Sequence, residues 1–329
     1  MDTLVIRADA ALAPEIGTGH LVRSVALARA IRGRDPRVRT LFFTSESLPD
    51  EKLLAEFRDC AVLLPTGTTE ADLLARLGNA DVRPDRSLVL FDTLGVSRAL
   101  AGELRRRGHV VVTLDDGGEG AAAADISING IVRRPGTYSG YSYLLLPHPP
   151  RAAELAPRVS GHSFRIFLSF GGNDQHGILP EMLRALLPLA EEQEWEIEAV
   201  AAYPESVVTR AEELVGRTRG RVHVQRSPSD YLDRLQRCDI ALVSGGLTLF
   251  SALHYGLPSV VVAQYPHQLE SARSCEQAGA AVALGLWSEI SPALVTRTVR
   301  TLADDGQRRL RMSRQAAALI DGRGAERVV

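Results

Sequence analysis

The sequence has few cysteines and no close cysteine pair. Cys60, Cys238 and Cys275 are its three cysteines, and none belongs to a Cys-x-x-Cys motif. Disulfide scaffolds need paired cysteines, and zinc sites need cysteine or histidine ligands at short spacings. The sequence argues against both and indicates a reducing compartment. The histidines other than His20 and His267 also lack the spacing of metal ligands, so we expect no metal site. They are His109, His148, His162, His176, His223 and His254.

The chain also has little net charge and almost no lysine. Its 38 basic side chains nearly balance 40 acidic ones, which gives a net charge of −2 and argues against nucleic-acid binding driven by bulk charge. Lys52 is the single lysine, which removes Schiff-base and P-loop lysine chemistry from most of the chain. Aromatic residues make up only 5%, but hydrophobic residues reach 45%, a share that argues against a disordered protein.

Long apolar runs are absent as well. No run approaches the ~20 residues of a membrane span, and the apolar stretch within residues 1–7 is too short for the core of a signal peptide. We therefore expect a soluble cytoplasmic α/β protein, with neither a membrane nor a nucleic acid among its partners.

Short apolar runs alternate with amphipathic segments along the chain, a pattern typical of parallel strands joined by helices. The length of 329 residues and a proline-rich stretch at 147–163 predict two Rossmann-like domains, 1–150 and 151–329, facing a central cleft. The last helix can return to the N-terminal domain. Strands are predicted at 3–8, 40–43, 61–64, 87–92, 110–114, 126–128, 143–146, 164–170, 196–201, 222–225, 240–243, 259–263 and 281–284, and helices include 20–32, 48–57, 97–107, 291–302 and 306–320.

The loop after the first strand carries the strongest local signal for chemistry. Gly17, Thr18 and Gly19 lead directly into a helix that begins at His20. The glycines allow a ligand to approach the backbone, and the free amides of the helix start face the same space. The positive end of the helix favours a neutral imidazole, as a general base requires. The alternative is that His20 merely begins the helix.

Two further glycine loops follow strands in the second half. One contains Gly171, Gly172, Asn173 and Asp174, and the other runs through Ser244, Gly245, Gly246, Leu247 and Thr248. Side by side, such loops provide backbone amides suited to a diphosphate. The competing interpretation is a pair of tight turns in a doubly wound domain. Gln268 follows a later strand and is expected at the same edge.

Weaker candidates also lie at strand ends. Asp92 ends a strand and could reach the cleft, although a helix-capping role fits it equally well. Asp115 and Asp116 precede two glycines and are interpreted as a turn. The cluster Arg105–Arg107 is interpreted as a solvated helix end.

Together, the segments around Arg7, Asp9 and Gly17–Arg23, the two later glycine loops, and Gly256–Pro258 with Gln268 resemble a known family. They resemble the UDP-2,4-diacetamido-2,4,6-trideoxy-β-L-altropyranose hydrolases of pseudaminic acid biosynthesis, which are related to MurG-type glycosyltransferases of the GT-B fold and to spore-coat polysaccharide proteins. Three departures from these patterns occur. Ser251 stands where MurG-type enzymes carry a glutamate that holds the ribose diol, Pro266-His267-Gln268 replaces the usual Asp-Asn-Gln, and Pro147-His148-Pro149 replaces the usual Arg-Pro-Glu run.

The resemblance implies a GT-B fold and a metal-independent, cofactor-free hydrolase that releases UDP from a UDP-sugar, with 2,4-diacetamido-2,4,6-trideoxy-L-altrose or a related deoxy amino sugar as product. His20 matches the catalytic histidine that activates water. The resemblance implies that Arg7, Asp9, Gly17, Thr18, Gly19 and Asp92 contact the sugar, and that Gly171, Gly172, Asn173, Asp174, Ser244, Gly245, Gly246, Leu247, Thr248 and Gln268 contact the nucleotide.

Two other functions stay open at this point. A GT-B glycosyltransferase would use the same donor site with an alcohol in place of water. A nucleotide-sugar-binding protein without turnover would have no need of a neutral imidazole at the helix start. We expect a UDP-sugar as the small-molecule partner. The chain itself is expected to be a monomer or a weak homodimer.

Overall fold

The computed structural model describes residues 1–9, 18–45, 51–65, 67–131, 137–147, 163–216, 220–228 and 230–329, with the backbone alone for residues 45 and 51–53. The chain divides into two compact units. Unit 1 comprises Met1–Pro150 with Gly322–Val329, and unit 2 comprises Arg151–Asp321. The predicted linker, 147–163, lies almost entirely outside the described residues.

Unit 1 contains a seven-stranded sheet in which every neighbouring pair is parallel, in the order β3-β2-β1-β4-β5-β6-β7. Its strands are β1 Thr3–Ala8, β2 Arg39–Ser45, β3 Ala61–Leu64, β4 Ser87–Asp92, β5 Val110–Leu114, β6 Ile126–Asn129 and β7 Tyr138–Ser139. Its first three α-helices are α1 Gly19–Arg34, α2 Glu70–Asn79 and α3 Arg98–Arg106, and short 3₁₀ helices occur at Glu51–Cys60, Pro84–Arg86 and Tyr141–Tyr143.

Alternation along the central strands supplies a core on each face of this sheet. Leu4, Ile6 and Leu90 pack against α1 on one face. Val5 and Val89 point to the other face, towards α2 and α3. A parallel sheet covered on both sides needs such continuous apolar strands.

Two predicted elements of unit 1 differ from the structure. The run 143–146 is not a strand: Tyr143 ends a 3₁₀ helix, and the seventh strand is Tyr138–Ser139. Leu144, Leu145 and Leu146 are buried without pairing in the sheet, and an apolar run alone cannot distinguish these cases. The predicted helix 48–57 is partly outside the described residues, and its remainder lies in the 3₁₀ segment Glu51–Cys60.

Unit 2 has a six-stranded parallel sheet in the order β10-β9-β8-β11-β12-β13. Its strands are β8 Arg165–Ser169, β9 Glu196–Ala201, β10 Val222–Arg226, β11 Ile240–Val243, β12 Ser259–Ala263 and β13 Ala281–Leu286. Its helices are α4 Ile178–Glu192, α5 Glu205–Val215, α6 Tyr231–Gln236, α7 Leu247–His254, α8 Pro266–Gln277, α9 Pro292–Asp304 and α10 Gly306–Leu319.

The last helix, α11 Gly324–Val328, belongs to unit 1. Gly324 packs so closely on Leu144 that a Cβ atom there would lie 2.0 Å from the Leu144 carbonyl oxygen. Arg327 Nη1 donates to the Ser142 carbonyl at 2.9 Å. Leu145 packs in one cluster with Ala325 and Val328 of this helix, so α11 covers part of this segment although the segment is not in the sheet.

Both sheets reverse their strand order at one point. In unit 1 the reversal lies between β1 and β4, and in unit 2 between β8 and β11. Ligands of open α/β sheets bind outside the carboxyl ends of the strands at such a point. His20 comes after β1 in unit 1, and the two glycine loops follow β8 and β11 in unit 2, so the topology places His20 and these two loops at the reversal points.

Candidate functional site

His20 is the second residue of α1, and Asp92 is the last residue of β4. His20 Nδ1 lies 2.6 Å from Asp92 Oδ1. The Asp92 side chain is 0% exposed, whereas that of His20 is 19% exposed. An ionised carboxylate can only accept hydrogen bonds, so a ring proton on Nδ1 is donated to Asp92 and leaves Nε2 as the acceptor. Arg23 Nη2 also lies 3.2 Å from His20 Nδ1.

Arg23 contacts both oxygens of the Asp92 carboxylate. Its Nε lies 3.0 Å from Oδ1 and 2.9 Å from Oδ2, and its Nη2 also donates to Oδ1. Ser24 Oγ donates to Oδ2 at 2.9 Å. His20, Arg23 and Ser24 are at positions i, i+3 and i+4 of α1, which share one helix face. One turn of helix therefore supplies all of these contacts to the Asp92 carboxylate.

This environment decides the charge of Asp92. Burial by itself favours the neutral acid, but the positive charge and the hydrogen bonds of Arg23 outweigh burial, and His20 adds to them. The net result lowers the pKa of Asp92 from 3.8 to about 2. The pKa of Arg23 is raised, since the charges of Asp92 and Asp115 outweigh its burial. Asp92 is thus ionised at neutral pH.

Asp115 completes the cluster from the end of the neighbouring strand, β5. Arg23 Nη1 donates to its Oδ2 at 2.6 Å, and the Ile131 amide donates to its Oδ1 at 2.7 Å. The Asp115 backbone has φ of 47°, a left-handed conformation that aspartate adopts more readily than most residues. His20, Arg23, Asp92 and Asp115, which we call the histidine cluster, contain two carboxylates and one guanidinium.

Two sequence expectations are corrected here. The predicted sugar-contacting role of Asp92 does not fit its complete burial, because its carboxylate is occupied by His20, Arg23 and Ser24. Asp115 is not merely part of a turn. The turn itself exists, since Asp116 Oδ1 accepts from the Gly118 amide at 2.6 Å. The i, i+3, i+4 spacing from His20 was the signal that could have identified Arg23 and Ser24.

The other predicted sugar-contacting residues lie in different places. Thr18 is the N-cap residue of α1 and Gly19 its first residue, whereas Gly17 lies outside the described residues. Arg7 and Asp9 form an ion pair and line a cavity of about 150 Å³. Because Arg7 follows Val5 on the strand face that packs against α2 and α3, this cavity is on the opposite side of the sheet from α1.

In unit 2, adjacency of β8 and β11 brings the two glycine loops together. The Ser244 amide donates to the Ser169 carbonyl at 3.4 Å. A Cβ atom added to Gly171 would lie 3.9 Å from Ser244 Oγ, and a Cβ atom added to Gly246 would lie 4.0 Å from the same oxygen. Gly171 has φ of +83°, which favours glycine. The amide of Gly172 follows in the first loop, and Leu247 and Thr248 are the first residues of α7.

Gln268 connects the two loops to α8. Its Oε1 accepts from the backbone amide of Gln264 at 2.9 Å, and the side-chain Nε2 of Gln264 donates to the Phe170 carbonyl at 2.8 Å. A Cβ at Gly246 would lie 3.9 Å from Gln268 Nε2, but one at Gly245 would lie 2.2 Å from the Gln268 carbonyl oxygen. Gly245 is therefore required for packing. Gln264, which was not predicted, fixes the orientation of Gln268.

Asp174 has a different position from the one expected. It is buried, and its carboxylate caps α4 by accepting from the amides of Ile178 at 3.0 Å and Leu179 at 2.8 Å. Burial raises the pKa of Asp174 despite these hydrogen bonds. The carboxylate oxygens of Asp174 are used within the fold, so the side chain gives no support to the nucleotide-contacting role, which stays a prediction. Asn173 pairs through its backbone with Tyr203 and lies in the same loop.

Ser251 also faces the interior. It is fully buried on α7, and Tyr231 Oη donates to its Oγ at 3.2 Å.

Among the described residues, no group of three or more histidine, cysteine or acidic side chains could hold a metal ion. None of the described helices combines the length and hydropathy needed to cross a membrane.

No protein-family model matches the chain. The spore coat polysaccharide biosynthesis protein SpsG of Bacillus subtilis (strain 168) is 24% identical over 330 residues, which cover 95% of this chain and 93% of that protein. MurG of Acinetobacter baumannii superposes with a TM-score of 0.71 at 14% identity, over 99% of this chain and 97% of that one.

MnaA of S. aureus, solved with UDP, superposes with a TM-score of 0.64 at 12% identity, over 100% of this chain and 95% of that one. At such identities, structural similarity establishes the fold and not the reaction. The chain has the GT-B fold, with parallel sheets of seven and six strands.

Proposed function

We propose that this protein is a nucleotide-sugar hydrolase that releases UDP and a free sugar by attack of water on the anomeric carbon. The contact of 2.6 Å between His20 Nδ1 and the buried Asp92 carboxylate is the observation that carries the proposal. A histidine oriented by a buried carboxylate is the arrangement of a general base in many hydrolases. The proposed sugar is 2,4-diacetamido-2,4,6-trideoxy-L-altrose or a related deoxy amino sugar.

In this reaction His20 Nε2 takes a proton from water while the water oxygen bonds to C1. The bond between C1 and the diphosphate oxygen breaks, and its electron pair leaves with UDP. The imidazolium that forms is stabilised by Asp92, which Arg23 and Ser24 hold in place. Because the histidine cluster has two carboxylates for one guanidinium, it accommodates the additional positive charge.

The glycine loops of unit 2 are proposed to hold the diphosphate. The amides near Gly171, Gly172 and Gly246 and the start of α7 provide donors at the point where the sheet reverses its strand order. Donors fixed before the reaction stabilise the negative charge that develops on the leaving group. The UDP in the MnaA structure and the polysaccharide role in the name of SpsG support a nucleotide-sugar substrate.

The test is to incubate the protein with a panel of UDP-sugars and other nucleotide sugars in H₂¹⁸O and to analyse the products by mass spectrometry. We expect nucleotide release without an added acceptor, with ¹⁸O at C1 of the free sugar. Release that requires an added alcohol would instead identify a glycosyltransferase. Label in the diphosphate would show attack at phosphorus, and binding without release would identify a protein that does not turn over its ligand.

A further inference from the structure

Four aromatic rings, three of them on exposed residues, form a continuous row in unit 2. Trp287 stacks on His176, with ring centroids 4.7 Å apart and an interplanar angle of 22°. His176 lies 5.5 Å from Tyr265, which in turn stacks on His267 at 5.7 Å and 9°. We call these four residues the aromatic row.

The row is unusual for its exposure. The Trp287 residue is 38% exposed, whereas Trp195, the other tryptophan of the chain, is 6% exposed in the core of the same unit. His176 and His267 are also exposed, and Tyr265 is half-buried. Exposed aromatic faces gain free energy when a flat partner covers them, so a contiguous row of them indicates a binding surface.

The backbone beneath these rings is fixed by the sheet. The Trp287 amide donates to the Ala263 carbonyl at the end of β12, at 2.9 Å. His176 lies in the loop that the buried Asp174 anchors through its contacts with Tyr203 and α4. Tyr265 is the N-cap residue of α8. The rings are therefore held on a rigid support, which lowers the entropic cost of binding a ligand.

The aromatic row begins beside the glycine loops. Tyr265 and His267 flank the start of α8, and Gln268 of the same helix touches Gly245 through its backbone. All four rings follow the carboxyl ends of β8, β12 or β13, the edge at which the glycine loops also lie. A diphosphate at those loops would leave the groups attached to it within reach of this surface.

We propose that the aromatic row binds a ring of the nucleotide sugar by stacking, with Trp287 as its principal contact. The inference rests on the proposed function for the nature of the ligand. A nucleobase and a pyranose both present a flat face to such rings, and the imidazoles add hydrogen-bonding atoms at their edges.

The test uses the fluorescence of Trp287 in the full chain, with Trp195→Phe removing the buried tryptophan. Titrations with UDP, a UDP-sugar accepted in the release assay, and the corresponding free sugar distinguish the two rings. Quenching by UDP assigns the base, and quenching by the UDP-sugar but not by UDP assigns the pyranose.

In parallel, calorimetry measures the affinity of Trp287→Ala and Trp287→Phe for the same ligands. We expect Trp287→Ala to weaken the stacking ligand about 5- to 150-fold, the range for loss of one stacked ring, and Trp287→Phe to retain most of the affinity. If the ligands bind but neither fluorescence nor the affinity of Trp287→Ala changes, the stacking inference is wrong and the proposed function stands. If neither UDP nor any UDP-sugar binds the wild-type protein, both are wrong.

Discussion

Arg23 is the residue on which the geometry around His20 depends most. Its planar guanidinium contacts Asp92 through two nitrogens and reaches Asp115 with a third. Lysine cannot reproduce this, because an ammonium group is a single point of charge. The same helix carries Arg29, whose guanidinium also binds a carboxylate through two nitrogens, but on the exposed surface with Glu56. The two arginines form a matched pair for mutation.

We predict that Arg23→Lys lowers the free energy of unfolding by about 1–3 kcal/mol, because hydrogen bonds to buried charged groups are lost. Arg29→Lys is expected to cost less than about 1 kcal/mol, since its ion pair is exposed to solvent. Urea unfolding of both variants measures this. Equal losses of unfolding free energy in the two variants would show that the burial of Arg23 in the histidine cluster adds nothing to stability.

A second prediction concerns the pH dependence that Asp92 gives to stability. Its pKa is about 2 in the folded protein and 3.8 in its ordinary state, so its ionised form stabilises the fold above about pH 4, and this contribution is lost as the pH falls towards 2. The difference corresponds to about 2.5 kcal/mol. Between about pH 5 and 2, the unfolding free energy of wild type should fall by up to that amount more than that of Asp92→Asn.

Urea unfolding at several pH values measures this difference. Asp35→Asn is the control, because the Asp35 carboxylate also has a lowered pKa, but its partner Arg37 is exposed and screened by solvent. Parallel pH dependences for wild type and Asp92→Asn would contradict the ionisation state assigned to Asp92.

At the scale of elements, the glycine loop after β11 contains one residue that is needed for packing, next to one that is open to a ligand. Gly245 and Gly246 are adjacent, but a Cβ at Gly245 would clash with the Gln268 carbonyl, whereas one at Gly246 would meet only ordinary contacts. We predict that Gly245→Ala lowers stability by about 1–3 kcal/mol through overpacking. Gly246→Leu should leave the melting temperature near that of wild type and weaken UDP binding at least about tenfold.

Thermal unfolding and calorimetry with UDP measure the two effects. Undiminished UDP affinity in a folded Gly246→Leu protein would remove the diphosphate from this loop. A Gly245→Ala protein as stable as wild type would show that α8 can move away from the loop.

Much of the fold could be predicted because parallel strands have strong local signals. The apolar run at 87–92 and the later run at 259–263 coincide with β4 and β12. The run at 143–146 misled, since its burial comes from packing near Gly324, more than 170 residues away in sequence. The helical spacing marks Arg23 and Ser24 as sharing a face with His20, but only tertiary structure decides whether the carboxylates of Asp92, Asp115 and Asp174 meet a ligand, an arginine or a helix.

At the scale of the whole molecule, backbone amides are proposed to stabilise the leaving diphosphate. We therefore predict that activity does not depend on a divalent metal ion. The rate of UDP release should be unchanged after treatment with EDTA and removal of the chelator. Loss of activity that Mg²⁺ or Mn²⁺ restores would show that a cation performs this function.

The central claim is that His20 acts as the general base. His20→Gln keeps much of the size and polarity of the side chain but cannot accept the proton, and general-base assistance typically contributes ~10²–10⁴-fold. His223→Gln, at an exposed position on β10, is the control. The most direct measurement is the single-turnover rate of UDP release from the accepted UDP-sugar, together with the calorimetric Kd for UDP. We predict that His20→Gln slows release by about 10²–10⁴-fold with little change in the Kd for UDP. Release at the wild-type rate would contradict the role of His20 as the general base.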